Sequence, residues 1–125
     1  MDWKNGVISI DGITFSPGFS FGDFKNTSLY SGQDGVRMIY LDKVCCIDNN
    51  RFKVSIMFRN GMLYLISLYC VDIDIPYERE SERKLLHDSI LKDHGLSDKN
   101  YFSWGSIESS FDPRSFSCSL NIVYK

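Results

Sequence analysis

Hydrophobic and polar residues alternate along much of this chain, most clearly at its C-terminal end. Phe116, Cys118, Leu120, Ile122 and Tyr124 fall on every second residue, with serine, asparagine and valine between them. Successive side chains of a β-strand point to opposite faces, so this alternation predicts a strand with one buried side. We therefore expect a C-terminal strand with an apolar face in the core and a serine-rich face in water.

Two pairs of strands are separated by dipeptides that favour tight hairpin turns. Asp11-Gly12 and Asn60-Gly61 suit type I′ turns, in which both central residues need a positive φ. The first turn predicts the pairs Ile10–Ile13 and Ile8–Phe15. The second predicts the pairs Phe58–Leu63, Ile56–Leu65, Val54–Ser67 and Phe52–Tyr69. The same register places Ile66 and Leu68 on the other face of the sheet, beside basic side chains.

Shorter apolar runs predict two more strands, within VRMIYL (36–41) and KVCCID (43–48). The glycine- and aromatic-rich stretch 16–28 predicts a loop with one short helical turn. The pattern changes at Pro76, which suits an early helical position, and a helix is expected to about Gly95. Leu85, Leu86 and Ile90 form its narrow apolar stripe, and Gly95 suits a Schellman ending. A linker, 97–100, and a final pair of strands follow.

These elements predict a single α+β domain over residues 1–125. Seven or eight antiparallel strands form a curved, hairpin-rich sheet, and one main helix packs on one of its faces. The predicted core residues are Ile8, Ile10, Phe15, Val54, Ile56, Phe58, Leu63, Leu65, Leu86, Ile90, Leu120 and Ile122. Truncating either Ile56 or Leu65 to alanine is expected to lower the free energy of unfolding by about 2–5 kcal/mol.

Composition narrows the function classes. The 125 residues are 43% hydrophobic with a net charge of −2, which is typical of an ordinary globular domain and not of a basic nucleic-acid protein. The sequence has no secretory signal and no apolar run long enough to span a membrane, which predicts a cytoplasmic protein. The four cysteines, Cys45, Cys46, Cys70 and Cys118, are then expected to be free, buried thiols.

Catalytic, cofactor and metal signatures are missing from the sequence. His87 and His94 lie seven residues apart on the predicted helix, which is not a zinc spacing, and we expect both at the surface. Asp72 and Asp74 alternate at a strand end, but nothing nearby promises the desolvation that an acid catalyst needs. No nucleophile elbow or phosphate-binding loop is present. We predict no catalytic residue, no cofactor and no metal.

An acidic segment lies between the last long strand and the helix. The predicted partner-binding residues are Asp72, Asp74, Tyr77, Glu78, Glu80 and Glu82. One interpretation is an ordinary solvated helix start, with Glu80 and Lys84 as an i,i+4 ion pair. The other is an acidic surface that attracts a basic protein partner.

Two other functions remain open. A sheet face with Arg51, Lys53, Arg59 and Tyr64 would suit single-stranded nucleic acid, although the predicted presence of Ile66 and Leu68 there favours coverage by protein. A small enzyme of unrecognised type is the second alternative.

The whole chain resembles, in outline, the small immunity proteins encoded beside bacterial contact-dependent growth inhibition and related polymorphic toxins. The resemblance rests on the compact signal-less chain, the hairpin-rich sheet with one helix (ERKLLHDSILKDHGL) and the closing FSWGSIESSFDPRSFSCSLNIVYK. It implies a cytosolic protein without enzymatic activity that binds one cognate toxin domain, often a nuclease, and blocks it. No single residue is carried over from these families.

Overall fold

A computed structural model describes residues 2–125 and shows an α+β fold, as the sequence predicts. Within these residues there are nine strands, where seven or eight were expected. The strands are β1 (Ile8–Ile10), β2 (Ile13–Phe15), β3 (Ile39–Tyr40), β4 (Cys45–Ile47), β5 (Asn50–Arg59), β6 (Met62–Cys70), β7 (Lys99–Phe102), β8 (Gly105–Asp112) and β9 (Ser117–Tyr124). The helices are α1 (Phe21–Lys25) and α2 (Arg83–Asp93), with short 3₁₀ helices at Trp3–Asn5 and Tyr77–Glu82.

All strand pairs are antiparallel. β1 and β2 form a small sheet, and the other strands form a seven-stranded sheet in the order β3-β5-β6-β9-β8-β7, with β4 also paired to β5. Most neighbours are hairpins, because short turns join strands that follow each other in the chain. The exceptions are the pairs β3–β5 and β6–β9, and in the second of these β9 returns to lie between β6 and β8. The C-terminal strand therefore lies at the centre of the sheet.

The first hairpin and both tight turns follow the prediction. Ile10 pairs with Ile13 and Ile8 with Phe15. Asp11, Gly12, Asn60 and Gly61 all have a positive φ, as type I′ turns require. The short helical turn expected in the loop 16–28 is α1, which Ser20 and Asp23 close with reciprocal capping hydrogen bonds.

The predicted register of the second hairpin is correct only next to its turn. Phe58 pairs with Leu63, but Met57 pairs with Leu65, which leaves Tyr64 as an extra residue in a β-bulge. A shift of one residue turns every later side chain to the other face of the sheet. Ile56 therefore pairs with Ile66 and Val54 with Leu68. The prediction that Ile66 and Leu68 lie on the basic face is wrong, because both are fully buried in the core.

The rest of the predicted core is confirmed with two exceptions. Leu65 is half-buried because the bulge turns it away from the core, and Leu86 is half-buried at the core's edge. The other ten predicted residues are buried in one continuous cluster. That cluster also takes in residues from loops and helices, among them Phe24, Leu91 and Leu96.

The helix differs from its prediction in two ways. Residues 77–82 form a 3₁₀ helix, and the α-helix begins only at Arg83. Of the predicted apolar stripe, Ile90 is buried and Leu86 is half-buried, but Leu85 is 69% exposed, so its place in the stripe is wrong. The other residues that α2 buries are Arg83, His87 and Leu91. The Schellman ending is confirmed, since Gly95 has a φ of 73° and the Leu96 amide donates to the Leu91 carbonyl at 2.9 Å. The expected linker 97–100 overlaps β7.

The C-terminal strand keeps its predicted alternation from Cys118 to Tyr124. Phe116 is an exception, because it lies in the turn before β9 with a φ of 52°. Its ring contacts the rings of Phe111 and Tyr77, with centroid distances of 5.5 and 5.1 Å. Phe116 is therefore half-buried among these rings and not part of the buried face of β9.

Without the bulge at Tyr64, Ile56 and Leu65 would both be buried, and their truncation to alanine would lower the free energy of unfolding by similar amounts. With the bulge, the two losses should differ. Ile56→Ala removes a fully buried side chain and is expected to lower the free energy of unfolding by about 2–5 kcal/mol. Leu65→Ala removes a half-buried one and should cost less than about 2 kcal/mol. Urea denaturation of both variants measures the difference. Equal losses would contradict the bulged register.

Candidate functional site

The acidic segment predicted to bind a partner connects β6 to α2. The structure divides its six predicted residues into two groups. Asp72 and Glu80 turn towards the protein, where Asp72 is half-buried and Glu80 is 5% exposed. Asp74, Tyr77, Glu78 and Glu82 are exposed, and we call these four residues the acidic surface.

The segment starts where two central strands separate. β6 pairs with β9 only over residues 65–68, after which β9 continues beside β8 alone. Cys70, at the end of β6, lies beside Phe52 of β5, but its N–H and C=O groups point to the other side, where β9 has left and no strand can bond them. Buried backbone groups without partners are costly, at about 1–3 kcal/mol each, so the gap needs other hydrogen-bonding groups.

Two side chains of α2 fill this gap. The Cys70 N–H donates to Nε2 of His87 at 3.0 Å, and Nη1 of Arg83 donates to the Cys70 carbonyl. The prediction that His87 is a surface histidine is wrong, since its side chain is fully buried. His87 and Arg83 lie one helical turn apart, so they reach the same backbone unit from one face of the helix.

Glu80 neutralises the buried guanidinium of Arg83. Arg83 Nε donates to Glu80 Oε2 at 2.9 Å, and the Tyr69 hydroxyl donates to Glu80 Oε1 at 3.1 Å. The Cys118 thiol donates to the Glu80 carbonyl at 3.2 Å. Residues i and i+3 eclipse in a 3₁₀ helix, which explains why the helix start takes this form. Glu80 is thus a structural residue, and its predicted place in the partner surface is wrong.

Two further predictions about this segment need correction. The expected Glu80–Lys84 ion pair does not form, because Lys84 bonds Asp88 at 3.1 Å and Asp98 at 3.3 Å. Asp72 accepts a hydrogen bond from the Arg51 amide at 2.8 Å and lies 3.5 Å from the Arg51 guanidinium. Asp72 thereby ties the segment to β5 and is only partly available to a partner.

The acidic surface presents a tyrosine among carboxylates. Tyr77 is 73% exposed, and its ring rests against Phe116. Asp74 and Glu78 have no ion-pair partner among residues 2–125, while Glu82 pairs with Arg79 at 3.6 Å. A depression of about 410 Å³ adjoins this surface, with Asp74, Ile73 and Lys53 among its lining residues. Side chains of a docked protein could enter it.

Phe116 was missed by the sequence reasoning, which assigned it to a strand. A positive φ is unusual for a bulky residue and costs about 1–3 kcal/mol when the surrounding structure enforces it. Such strain is concentrated at functional sites. Here it places an aromatic ring against Tyr77, and the only signal in the sequence was the nearness of Phe116 to the turn at Pro113.

The basic face proposed for nucleic acid is altered by the bulge. Ile66 and Leu68 no longer lie on it, which removes one objection to that alternative. Its basic side chains are nevertheless partly engaged, since Arg51 pairs with Asp72 and the Arg59 guanidinium lies 3.7 Å from the centre of the Tyr64 ring. Lys53 and Arg59 are both exposed and form no ion pair among residues 2–125, and of the two only Arg59 has a cation–π contact.

Three of the four thiols are buried, and the second histidine is half-buried. Burial raises the pKa of Cys45 and of Cys70 to about 11, so both thiols stay protonated at neutral pH. Cys118 is also buried, whereas Cys46 is exposed, contrary to prediction. His94 is half-buried, stacks on Trp3 with 4.3 Å between ring centroids, and contacts Asp48 at 3.0 Å.

Within the part of the chain that the structure describes, no group of three or more histidine, cysteine or acidic residues is arranged to hold a metal ion. None of the helices formed by residues 2–125 has the length and apolar character needed to cross a membrane.

Comparison of the chain with protein-family models, with curated proteins and with solved structures found no match.

The buried histidine makes stability depend on pH. Burial, followed by the charge of Arg83, lowers the pKa of His87 from 6.5 to about 4. The unfolded chain then binds a proton that the folded chain does not bind between these two values. The contribution of His87 to the free energy of unfolding is fully present above pH 6.5 and is lost as the pH falls towards 4. The loss is about 3 kcal/mol, at about 1.4 kcal/mol per pH unit.

Urea denaturation of the wild type and of His87→Gln at pH 7 and pH 4 tests this. The glutamine oxygen can still accept the Cys70 amide, so the variant should fold yet lose most of the His87 contribution to the pH dependence. His94→Gln is the matched control and should keep it. An unchanged pH dependence in His87→Gln would show that His87 titrates normally.

Proposed function

We propose that this chain is a cytoplasmic binding protein, without enzymatic activity, that neutralises a cognate bacterial toxin domain by direct contact. The toxin domain is basic, as a nuclease is. The observation that carries the proposal is the acidic surface, in which Tyr77 lies exposed on a strained Phe116 among carboxylates that have few basic partners.

The residue types of this surface suit a protein interface. Tyrosine is enriched among the residues that contribute most to binding, because its ring buries a large area with little loss of conformational entropy. Unpaired carboxylates around such a ring attract a basic partner and raise the association rate. Asp74 and Glu78 supply that charge on both sides of Tyr77 in the chain.

The surface is held rigidly from below. Glu80 and Arg83 fix the 3₁₀ helix that carries Tyr77 and Glu78, and Asp72 fixes the preceding loop to β5. A surface that is ordered before binding loses less entropy when the complex forms. The buried ion pair therefore supports the binding site, even though neither of its members touches the partner.

Contact at this surface would block a nuclease without any chemistry. A nuclease must present basic side chains to the phosphates of its substrate. The carboxylates of Asp74, Glu78 and Glu82 can occupy phosphate positions on such a surface, and the Tyr77 ring can stack where a base would stack. The inhibitor then competes with the nucleic acid for the same groups.

The first test asks whether the neighbouring reading frame encodes a large secreted protein with a variable C-terminal domain. That domain is then expressed and its association with the chain is measured by stopped-flow kinetics at several salt concentrations. The double variant Asp74→Lys/Glu78→Lys should slow association at least about tenfold at low salt and weaken its salt dependence. Tyr77→Ala should mainly raise the dissociation rate, also by at least about tenfold.

The matched controls lie outside the acidic surface. One makes the same change of charge at two other carboxylates, and the other removes apolar atoms from a side chain as exposed as Tyr77. Asp42→Lys/Asp93→Lys alters two exposed carboxylates outside the acidic surface, and Val36→Ala trims a side chain that is 77% exposed. Both controls should leave the kinetics nearly unchanged. Equal effects of the acidic-surface and control variants would place the toxin elsewhere, and no binding to the neighbouring domain would contradict the proposed function.

A further inference from the structure

One face of the large sheet is uncovered along all of its strands. Every side chain on this face is exposed or half-buried, whereas the opposite face is almost entirely buried. We call it the open face. By alternation and register it carries Tyr40, Arg51, Lys53, Ser55, Met57, Leu65, Ser67, Tyr69, Lys99, Tyr101, Ser106, Glu108, Ser110, Asp112, Ser117, Ser119, Asn121 and Val123.

We propose that the open face binds a second copy of this chain, so that two sheets pack face to face about a two-fold axis parallel to the strands. This inference does not depend on the toxin partner. The strand order supplies the symmetry, since β3, β5 and β6 lie on one side of the sheet's midline and β9, β8 and β7 on the other. The axis would run between β6 and β9.

The side chains near this axis complement themselves. Leu65 on β6 is in register with Val123 on β9, and Ser67 is in register with Asn121. Rotation about the axis exchanges β6 and β9, so Leu65 of one copy meets Val123 of the other. In the same way Ser67 meets Asn121, a hydroxyl facing an amide. The centre of the interface is then apolar in one row and hydrogen-bonding in the next.

The charges match in the same arrangement. Ser55 on β5 is in register with Ser67 on β6, Asn121 on β9 and Glu108 on β8. The rotation therefore puts Ser55 of one copy opposite Glu108 of the other. Lys53 lies two residues from Ser55 on the same face of β5. Its ammonium can therefore approach Glu108 of the other copy, and the symmetry makes this contact twice.

The outer strands carry the two most exposed aromatic residues of the face. Tyr40 on β3 is 73% exposed and Tyr101 on β7 is 78% exposed. The rotation carries β3 onto β7, so Tyr40 of one copy meets Lys99 of the other and Tyr101 meets the row of Met57. A tyrosine ring contacts a lysine ammonium favourably. Serine between tyrosines is also the composition of adaptable protein-binding surfaces.

The area is sufficient for a specific dimer. Six strands in sequence, with neighbours about 4.8 Å apart, and central strands of eight or more residues give a face of about 24 by 27 Å. Packing two such faces buries about 1,300 Å² in total, within the range of about 1,200–2,000 Å² for specific interfaces.

Sedimentation velocity of the full chain from about 1 to 500 μM tests the proposal. The mass should rise with concentration from 14.4 kDa towards twice that value. Asn121→Arg places two like charges near the axis and should weaken the dimer at least about tenfold. Lys53→Glu alone and Glu108→Lys alone should each weaken it, and the double variant Lys53→Glu/Glu108→Lys should recover most of the affinity, because the charges exchange across the interface.

Lys92→Glu, on the exposed side of α2, is the control and should dimerise like the wild type. Circular dichroism verifies that each variant is folded. The variants at the exposed Lys53 and the half-buried Glu108 keep the test valid if Asn121→Arg does not fold. A wild type that stays monomeric to 500 μM would overturn the proposal. A dimer that none of the open-face variants affects would also overturn it. The same holds if the wild type is monomeric and Asn121→Arg loses toxin binding.

Discussion

The structure depends on how the peptide group at the end of β6 is satisfied where β6 and β9 part. The N–H and C=O groups of Cys70 lie in the core and point to the side that β9 has left, so neither has a strand to bond. His87 and Arg83 of α2 supply the missing bonds, which fixes the rotation of the helix about its axis. Burying Arg83 then requires a carboxylate, because an unpaired charge in the core is strongly unfavourable. Glu80 meets that requirement and determines the 3₁₀ start of the helix.

This constraint divides the acidic segment into residues that bond inward to the fold and residues that are exposed to solvent. Glu80 and Asp72 bond inward, so Asp74, Tyr77 and Glu78 stand outside on a loop that two ion pairs anchor. A stripe of leucines could bury more apolar area, yet it would leave Cys70 unsatisfied, and Leu85 accordingly faces solvent. Buried polar networks of this kind fix one arrangement more than they add stability. The proposed toxin-binding surface is a product of that fixed arrangement.

Local patterns predicted the local structure well. Alternation placed Leu120 and Ile122 inside, and Asp11-Gly12 fixed the first hairpin, because both depend only on neighbouring residues. The bulge at Tyr64 and the parting of β6 from β9 depend on contacts between distant parts of the chain, which spacing alone does not reveal. For this reason Leu65, Ile66, Glu80 and His87 were assigned to the wrong side. The exposed carboxylates Asp74 and Glu78 were predictable because no long-range contact is needed to leave them in water.

The central claim, that α2 replaces a missing strand beside Cys70, is tested most directly by amide hydrogen exchange of Cys70 measured by NMR. At pH 7 the Cys70 amide should exchange as slowly as the amides in the paired centre of β6, because His87 holds it in the core. In His87→Ala it should exchange much faster, while the amides of β8 keep their protection. Rapid exchange of the Cys70 amide in the wild type, at the rate of an exposed loop, would contradict the account.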